Sequence, residues 1–439
     1  MGAKLTFKGG IHPNDGKTLS KGKPIADYFP EGDMVYMLSQ HIGAPAEPVV
    51  EVGEQVLAGQ LIAIAKGFVS ANIHASVSGK IKAIEARRTV TGEMTEAIVI
   101  ENDGKYEEIS FGKKIPIDQM SRDIILEKVK SAGVVGMGGA GFPTHIKLSP
   151  AHPEEIRYVI ANCAECEPYL TSDYRRMLEE PEKIISGMQV VLALFGEAKG
   201  ILAVEDNKKD CIRKLEELVK DEPRISVKAL NTKYPQGAER QLIYAATGRK
   251  INSTMLPADA GCIVNNVDTL VSVHNAVMEN RPVMNRIVTV TGDAIKQPGN
   301  FRVRIGTCYD ELIKEAGGFR EQPQKIISGG PMMGIAIFDT QIPVTKTSSA
   351  ILCMKKDEVR HEVPGPCINC GKCVEVCPGR IVPSRLATLA DRHEEDLFLK
   401  CDGMECCECG CCSYVCPAKR HLTQSIKSMR KMLLAKKKR

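Results

Sequence analysis

The feature that most constrains this chain is a run of cysteines that occurs twice in its last quarter. The first run reads CINCGKCVEVCP from Cys367, and the second reads CCECGCCSYVCP from Cys406. In both runs four cysteines keep the spacing C-x2-C-x2-C-x3-C, and a proline follows. The chain opens with MGAKLTFKGG and shows no secretory leader, so we do not expect disulfides. Thiols clustered in this way indicate metal ligands.

This spacing, with its terminal proline, is typical of bacterial ferredoxins that hold two [4Fe-4S] clusters. Three cysteines of a tight loop bind three corners of one cubane, and the fourth points away and binds the other. One predicted cluster is therefore held by Cys367, Cys370, Cys373 and Cys416. The other is held by Cys377, Cys406, Cys409 and Cys412. Zinc is the alternative, but zinc sites usually show two separated C-x2-C pairs without the proline.

The remaining cysteines have other predicted roles. Cys407 and Cys411 lie inside the second run but outside its register, and we expect them to be buried or hydrogen-bonded neighbours of the ligands. Five more are expected to be small core residues: Cys211, Cys262, Cys308, Cys353 and Cys401. Residues 382–400, between the runs, show apolar residues at helical spacing, so the cluster domain is predicted to be mainly helical.

Composition excludes several classes of function. The chain has 439 residues, 43% of them apolar, which suggests about three domains with real cores. The net charge of +5 is modest, tryptophan is absent and aromatic residues make up 5%, so nucleic acid is not an expected partner. No apolar stretch approaches the roughly 18 residues of a spanning helix. We therefore expect a soluble chain, or one that partners hold at a membrane.

A second distinctive segment, SAGVVGMGGAGFPTHIKL, begins at Ser131. Gly136, Gly138 and Gly141 satisfy G-x-G-x-x-G, but residues 122–130 before them read as a helix and not as the strand of a dinucleotide fingerprint. Dense glycines let backbone N–H groups approach an anion or a flat ring closely. A flexible turn is the alternative, but a turn alone does not explain the F-P-T-x-x-K continuation.

This glycine loop resembles the flavin-binding loop of the NADH-oxidising subunit of respiratory complex I. Three further segments are similar to that family in the same order. They read NCAECEP from Asn162, YPQGAE from Tyr234 and VNNVDTL from Val264. Ala164 and Ala238 depart from the pattern, because the family carries acidic residues at those positions.

The resemblance implies a non-covalent FMN and a site for NADH, with hydride passing from the nicotinamide to the flavin and single electrons then passing to the clusters. No catalytic side chain is implied. Lys147 would neutralise the flavin phosphate, and three asparagine amides would hold the ribityl chain or the ring edge. Glu167 and Glu239 would accept hydrogen bonds from ribose hydroxyls. The implied cofactor-binding set is Gly136, Gly138, Gly139, Gly141, Lys147, Asn162, Glu165, Glu167, Tyr234, Gly237, Glu239, Asn265 and Asn266. NAD is expected over NADP, because no arginine cluster lies near the glycine loop.

The flanking segments predict smaller modules. Short alternating strands within residues 36–100 resemble the barrel-sandwich fold of lipoyl carriers, without their attachment lysine, and His74 is expected to be structural. Residues 288–307 are similar to the β-grasp (SLBB) module that follows the complex I flavin domain, and the glycine loop of residues 328–334 closes it. The basic end of the chain, residues 427–439, could lie on anionic lipid or on an acidic partner, or could be a frayed, solvated helix end.

The order of these modules resembles the C subunit of the Rnf electron transport complexes. It implies a multidomain α/β chain: an N-terminal segment (1–35), a barrel-sandwich domain (36–110), an FMN/NADH-binding α/β domain (111–285), a β-grasp domain (286–348), a mainly helical two-cluster domain (349–425) and a basic tail (426–439). The resemblance also implies a peripheral subunit at the cytoplasmic face of the bacterial cell membrane, with membrane and ferredoxin-like subunits as partners. Such a complex exchanges electrons between ferredoxin and NAD and couples this to movement of sodium ions or protons. Two alternatives are a cobalamin-reducing flavoprotein of bacterial microcompartments and an iron–sulfur relay scaffold without an active flavin.

Overall fold

All but the first of the strands in the N-terminal region form the predicted barrel sandwich. The computed structural model describes residues 5–436. The first eight strands are β1 (Ile25–Asp27), β2 (Met34–Met37), β3 (Glu47–Pro48), β4 (Gln55–Val56), β5 (Leu61–Ile64), β6 (Ile73–His74), β7 (Gly79–Arg88) and β8 (Met94–Asn102). One antiparallel sheet has the order β2-β8-β7-β4, and a smaller one has the order β3-β5-β6. Buried aliphatic residues such as Ile62, Ile73 and Ile81 fill the space between them.

The central region is a parallel α/β unit. Its elements are α1 (Arg122–Ser131), α2 (Thr144–Lys147), β9 (Tyr158–Cys163), α3 (Ser172–Glu179), α4 (Pro181–Ala193), β10 (Lys199–Glu205), α5 (Lys209–Leu218), β11 (Ile225–Leu230), α6 (Glu239–Thr247), β12 (Cys262–Asn266) and α7 (Val267–Met278). The sheet order is β11-β10-β9-β12, and every pair is parallel. The strands are largely buried, because α6 covers one face and α4 and α7 cover the other.

This sheet reverses its direction of growth at β9. The chain passes from β9 outward to β10 and β11 and then returns to place β12 on the other side of β9. Ligands of open parallel sheets bind in the crevice beyond the carboxyl ends of the strands at such a switch point. The crevice between the ends of β9 and β12 is therefore where the topology places a ligand.

The third region is the β-grasp domain. Its elements are β13 (Asn285–Thr291), β14 (Gly299–Arg304), α8 (Tyr309–Glu315), β15 (Lys325–Ser328), β16 (Ile335–Ile337) and β17 (Ala350–Met354). The sheet has six strands in the order β1-β14-β13-β17-β15-β16. The predicted boundaries at residues 35 and 348 both fall between strands of this one sheet. The sheet extends beyond residue 348 because β17 lies between β13 and β15, and the N-terminal segment supplies β1 at its edge.

The last region is helical, as predicted. It contains α9 (Lys372–Glu375), α10 (Pro383–Asp391), α11 (Glu395–Lys400), α12 (Cys411–Tyr414) and α13 (Leu422–Lys436). The segment between the runs, predicted to be helical, forms two helices, because the chain turns at His393, whose φ is 56°.

The predicted tail is not a separate element up to residue 436. Helix α13 buries Ile426, Met429 and Leu433 in the core of the cluster domain, so these apolar side chains are not available to lipid. Residues 437–439 of that predicted tail lie outside the described residues. None of the helices within residues 5–436 combines the length and the apolar content needed to cross a bilayer.

A buried ionic network joins the α/β unit to the β-grasp sheet. Asp268 of α7 accepts a hydrogen bond from Arg176 of α3 at 2.7 Å and pairs with Arg286 of β13. The two guanidinium groups hold the pKa of Asp268 below its ordinary value, although burial alone would raise it. Removing one partner of such a network leaves an uncompensated buried charge, so the network fixes the relative position of the two units.

Candidate functional site

Asparagines stand at the carboxyl ends of the two strands that border the crevice. Asn162 and Asn266 are paired in the register of β9 and β12. Asn162 donates from Nδ2 to the carbonyl oxygen of Gly237 at 2.9 Å and accepts from the N–H of Ala164. Asn266 caps helix α7 by accepting from the N–H of Asp268 at 2.8 Å. The sheet thus brings three of the predicted segments to one crevice.

Asn265 differs from its neighbours because it has no hydrogen-bond partner. Its side chain is buried, with 2% of the residue exposed, and neither Oδ1 nor Nδ2 is satisfied within the described part of the chain. Leaving a buried amide unpaired costs about 1–3 kcal/mol, so such a group requires an explanation, and a bound ligand provides one. An amide that both donates and accepts suits the polar edge or ribityl chain of a flavin. The residues of the crevice therefore fit the predicted FMN.

The glycine loop folds back on itself beside this crevice. The N–H of Gly136 donates to the carbonyl oxygen of Phe142 at 2.8 Å. Gly138 has a φ of 76°, and a Cβ placed there would lie 3.3 Å from Nδ2 of Asn266. A Cβ on Gly139 would meet no atom within 4 Å. The loop therefore presents an open backbone surface close to the asparagines.

The predicted phosphate ligand, Lys147, ends the short helix that follows the loop. Its Nζ donates to the carbonyl oxygen of Val264 at 2.9 Å, one residue before Asn265. Burial lowers the pKa of Lys147, and the negative charge of Glu239 acts in the opposite direction. Glu239 is the first residue of α6 and is exposed. Lys147 and Glu239 therefore face the same crevice.

The two glutamates of the NCAECEP segment are bound to protein groups. Glu165 caps α3 by accepting from the N–H of Asp173 at 2.7 Å, and Glu167 accepts from the N–H groups of Met332 and Met333 at 2.7 and 3.1 Å. The structure places Glu167 against the glycine loop of the β-grasp domain. A ribose-binding role for Glu167 would require these bonds to be shared or broken, whereas Glu239 is free of such partners in the described residues.

A buried lysine that the sequence left without a role organises this segment. Lys17 belongs to the N-terminal segment, and its Nζ donates to the carbonyl oxygens of Glu165 and Glu167 at 2.9 and 3.0 Å and to that of Leu170. It also lies 3.5 Å from Oε2 of Glu165. Burial lowers the pKa of Lys17, and Glu165 opposes this shift. The only sequence signal was a lysine that follows a rigid G-G-I-H-P-N-D-G turn.

The cysteines gather around two cavities. The outer cavity, of about 130 Å³, is lined by Cys367, Cys370, Cys373 and Cys416. The inner cavity is lined by Cys377, Cys406, Cys409 and Cys412, together with Cys407 and Cys411. All 17 cysteines of the chain are free thiols. Each cavity thus receives three cysteines of one run and the fourth of the other, the grouping that the crossed rule predicts.

The backbone of the two cysteine loops has the same conformation at equivalent positions. Gly371 and Gly410 have φ values of 76° and 82°, and each precedes a short helix, α9 or α12. Asn369 and Glu408, two residues earlier, are also left-handed, at 53° and 57°. Left-handed residues at these positions turn a short loop sharply enough for its thiols to converge. The two runs are therefore structurally equivalent.

Tyr234, predicted as a cofactor residue, connects the crevice to the inner cavity. Its hydroxyl donates to the carbonyl oxygen of Cys409 at 2.8 Å, and its own carbonyl oxygen lies 3.9 Å from Sγ of Cys411. Tyr234, Cys409 and Cys411 share one apolar cluster with Ile11, and Cys166 packs against its edge. Cys166 in turn accepts from the N–H of Gly237 at 3.2 Å. Few side chains therefore separate the asparagine crevice from the inner cysteines.

Asp173 is an acidic residue beside the crevice that the sequence did not single out. It accepts from Nδ2 of Asn266 at 2.7 Å and lies in the first turn of α3. Burial, together with the nearby charges of Glu165 and Asp268, raises its pKa to about 7. No residue in the described ranges forms an ion pair with it.

Comparison with known proteins supports the same interpretation of the chain. Family models match in order: an RnfC barrel sandwich hybrid domain over residues 5–105, a Nuo51 FMN-binding domain over 129–275 and an SLBB domain over 287–336. A solved NAD+-reducing [NiFe]-hydrogenase chain, in the H2-reduced state, has a TM-score of 0.50 and 20% identity and covers 73% of this chain and 62% of that one. This last likeness concerns the fold alone.

Three curated relatives match most of the chain. The C subunit of the Na+-translocating ferredoxin:NAD+ oxidoreductase complex of Acetobacterium woodii is 43% identical over 436 residues, which are 99% of this chain and 98% of that one. The C subunit of the proton-translocating complex of Clostridium ljungdahlii is 43% identical over 398 residues, 90% of this chain and 85% of that one. The C subunit of the ion-translocating oxidoreductase complex of Pseudomonas aeruginosa is 38% identical, and the match covers 90% of this chain and 52% of that one.

The chain is a flavoprotein of electron transport related to the complex I flavin subunit. Its class is defined by the barrel sandwich, the Nuo51-type domain and the SLBB domain, with two cysteine loops after them. At 43% identity over nearly its whole length, the chain belongs to the RnfC family, the C subunits of the ion-translocating ferredoxin:NAD+ oxidoreductases known as Rnf complexes.

Proposed function

We propose that this chain is the NADH-reacting flavin and iron–sulfur subunit of a ferredoxin:NAD+ oxidoreductase whose electron transfer drives ion translocation. It works at the cytoplasmic face of the bacterial cell membrane, bound to the membrane and ferredoxin-like subunits of the complex. The names of its relatives supply the reaction. The observation that carries the proposal for this chain is the direct contact of the crevice segment with the inner cysteines, through Tyr234 and Cys409.

In this proposal the crevice holds one FMN. The unpaired amide of Asn265 binds its polar edge or ribityl chain, the glycine loop lies along it, and Lys147 neutralises its phosphate. When bound, FMN would supply a hydride acceptor for NADH and a donor of single electrons, with one proton released for each hydride accepted. Glu239, exposed at the start of α6, is the carboxylate available to the nucleotide ribose.

The cysteines hold two [4Fe-4S] clusters in crossed fashion. Cys377, Cys406, Cys409 and Cys412 bind the cluster of the inner cavity. Cys367, Cys370, Cys373 and Cys416 bind the cluster of the outer cavity. Cys406, Cys409 and Cys412 would hold the cluster nearer the flavin, because their loop touches the crevice segment through Tyr234. The outer cluster is the contact with redox partners, because Cys367 and Cys370 are exposed whereas Cys409 and Cys412 are buried.

The backbone around the inner cavity keeps it close to the crevice. The N–H of Gly10 donates to the carbonyl oxygen of Val376, and the N–H of Ile11 donates to that of Tyr234, both at 2.8 Å. A Cβ placed on Gly9 would lie 2.9 Å from the carbonyl oxygens of Val376 and Cys377, so only glycine allows this approach. The N-terminal segment therefore holds the end of the first cysteine run, which supplies Cys377 to the inner cavity, against the α/β unit.

Cofactor content of the purified chain tests this proposal. After anaerobic reconstitution we expect about eight iron atoms and about one FMN per chain. Bound FMN should then be bleached by NADH faster than by NADPH. Eight irons with no retained FMN would contradict the flavin assignment and favour a relay scaffold. About four irons would contradict the paired clusters.

A further inference from the structure

Two exposed apolar side chains lie at the mouth of the outer cavity. Ile368 stands between two of the cavity cysteines with 65% of its surface exposed, and Val363 is 86% exposed. The segment that carries Val363 is held against the cavity wall. Gly365 donates its N–H to the carbonyl oxygen of Ala418 at 2.9 Å, and Ala418 lines the cavity. The two apolar side chains therefore belong to one rim, which we call the outer rim.

The charges around the outer rim are mainly positive. Arg360, Lys372 and Arg385 are exposed, and none of them forms an ion pair within the described residues. Glu358 and Glu375 are the exposed acids of the same stretch. On the other side of the cavity, Lys419 and Arg420 are paired with Glu362 and Asp391, so the positive field comes from the three unpaired cations. A basic field of this kind accelerates the approach of a negatively charged protein.

We propose that the outer rim is the docking surface for an acidic, cluster-bearing, one-electron carrier protein of the ferredoxin class, with Ile368 and Val363 at the centre of the contact and Arg360, Lys372 and Arg385 around it. The proposal rests on the proposed function, because it takes the outer cavity to hold a cluster. A small apolar centre within a charged border is what transient redox complexes use, since they must form and separate quickly.

A lipid surface fits this rim less well. Binding to a membrane plane uses an amphipathic helix whose apolar face is free. The helix next to the cavity, α13, buries its apolar residues Ile426, Met429 and Leu433 in the cluster domain. Val363 and Ile368 lie on loops, where their side chains give too little apolar area for stable insertion but enough for a protein contact.

Binding of a defined carrier to the reconstituted full-length chain tests the proposal. The probe is a purified, oxidised two-[4Fe-4S] ferredoxin of net negative charge, and its dissociation constant is measured by surface plasmon resonance at several salt concentrations. We expect Val363→Glu and Arg360→Glu each to weaken binding by about tenfold, and the salt dependence to become shallower in Arg360→Glu. Phe68→Glu, which changes an 82% exposed side chain of the barrel sandwich, is the matched control and should bind as the native chain does.

Both variants lie outside the cysteine runs, so their iron content should equal that of the native chain and is measured alongside. Equal affinity of Val363→Glu and the native chain would overturn the docking surface, as would a native chain that does not bind the ferredoxin. If the variants lost binding to anionic phosphatidylglycerol vesicles but kept their affinity for the ferredoxin, the rim would be assigned to lipid. Reduction of the clusters by NADH in the absence of ferredoxin is recorded separately, because failure there would contradict the proposed function and not the docking surface.

Discussion

Glu405 holds the inner cysteine loop on the α/β unit, and its removal should loosen that loop selectively. It lies directly before Cys406, and its carboxylate accepts from the N–H of Ser253 at 3.0 and 3.1 Å and from the Ser253 hydroxyl. Arg240 of α6 donates to it at 2.8 Å. Partial burial alone would raise the pKa of Glu405, but the bonds from Ser253 and the charge of Arg240 hold it below its ordinary value.

The size of the effect follows from these contacts. Hydrogen bonds to a charged group contribute about 1.5–3 kcal/mol when buried. The side chains of Glu405 and Arg240 are 28% and 27% exposed, so the ion pair adds at most about 1 kcal/mol and the Ser253 bonds are partly screened. We expect Glu405→Ala to reduce the free energy that holds the loop closed by about 2–3 kcal/mol, which corresponds to a rise of roughly 30- to 150-fold in the open population. Because the pKa of the native carboxylate is lowered, this stabilisation is present above the ordinary glutamate pKa and is lost as the pH falls through the native value.

Hydrogen exchange of the backbone amides of residues 403–412 measures this opening in the cluster-loaded protein. Glu375→Ala is the matched control, because Glu375 is an exposed acid inside the first cysteine run and forms no ion pair in the described residues. Protection should fall in Glu405→Ala and stay unchanged in the control. Electron transfer from NADH to the clusters should slow, whereas their reduction by dithionite should not. Unchanged exchange in Glu405→Ala would refute the view that this carboxylate clamps the loop.

Three further predictions concern individual groups. Cys416→Ser should remove the outer cluster, although Cys416 belongs to the second run, whereas Cys407→Ser should keep about eight irons. Iron analysis and EPR measure both results, and loss of only the inner cluster in Cys416→Ser would count against crossed ligation. Asn265→Leu should weaken FMN binding by roughly 10- to 100-fold and raise the melting temperature of the flavin-free chain, because it removes an unsatisfied buried amide. Fluorescence titration measures the affinity and calorimetry the melting temperature, and an unchanged affinity would place the flavin elsewhere. Asp173→Asn should raise the free energy of unfolding above that of the native chain by up to about 2–4 kcal/mol at pH 8 and by almost nothing at pH 4. The reason is that the native pKa of about 7 makes the stability of the native chain fall as the pH rises from about 4 to 7. Equal shifts of the melting temperature at both pH values would argue against the raised pKa.

The parts of this molecule that were predictable from the sequence are those with local signals. Each cysteine loop is specified within about a dozen residues, because the three cysteines that bind the same cluster from one loop must lie close together along the chain. The helix of residues 122–130 follows in the same way from a short apolar pattern, and α1 spans Arg122–Ser131 as expected. The α/β fold of the central domain was implied by the family resemblance and not by a local pattern.

The contacts between distant segments had no such signal. Nothing near Lys17 indicates that its ammonium group lies among carbonyl oxygens some 150 residues away. Tyr234 matched a family motif, but its hydroxyl bond to Cys409 depends on how two domains dock. Likewise β1 joins a sheet whose other strands begin at residue 285. The apolar residues of α13 are buried against the other helices of the cluster domain. Side-chain periodicity predicts that a residue is buried but not which surface buries it.

An anaerobic titration of the reconstituted chain with FMN and then NADH, followed by absorbance and EPR, tests the central claim most directly. We predict that NADH bleaches the bound flavin and that signals of reduced [4Fe-4S] clusters appear in this one chain without any partner. Clusters that are reduced by dithionite but never by NADH, in a chain that binds FMN, would contradict the proposed path from the crevice through the Tyr234 contact to the inner cysteines.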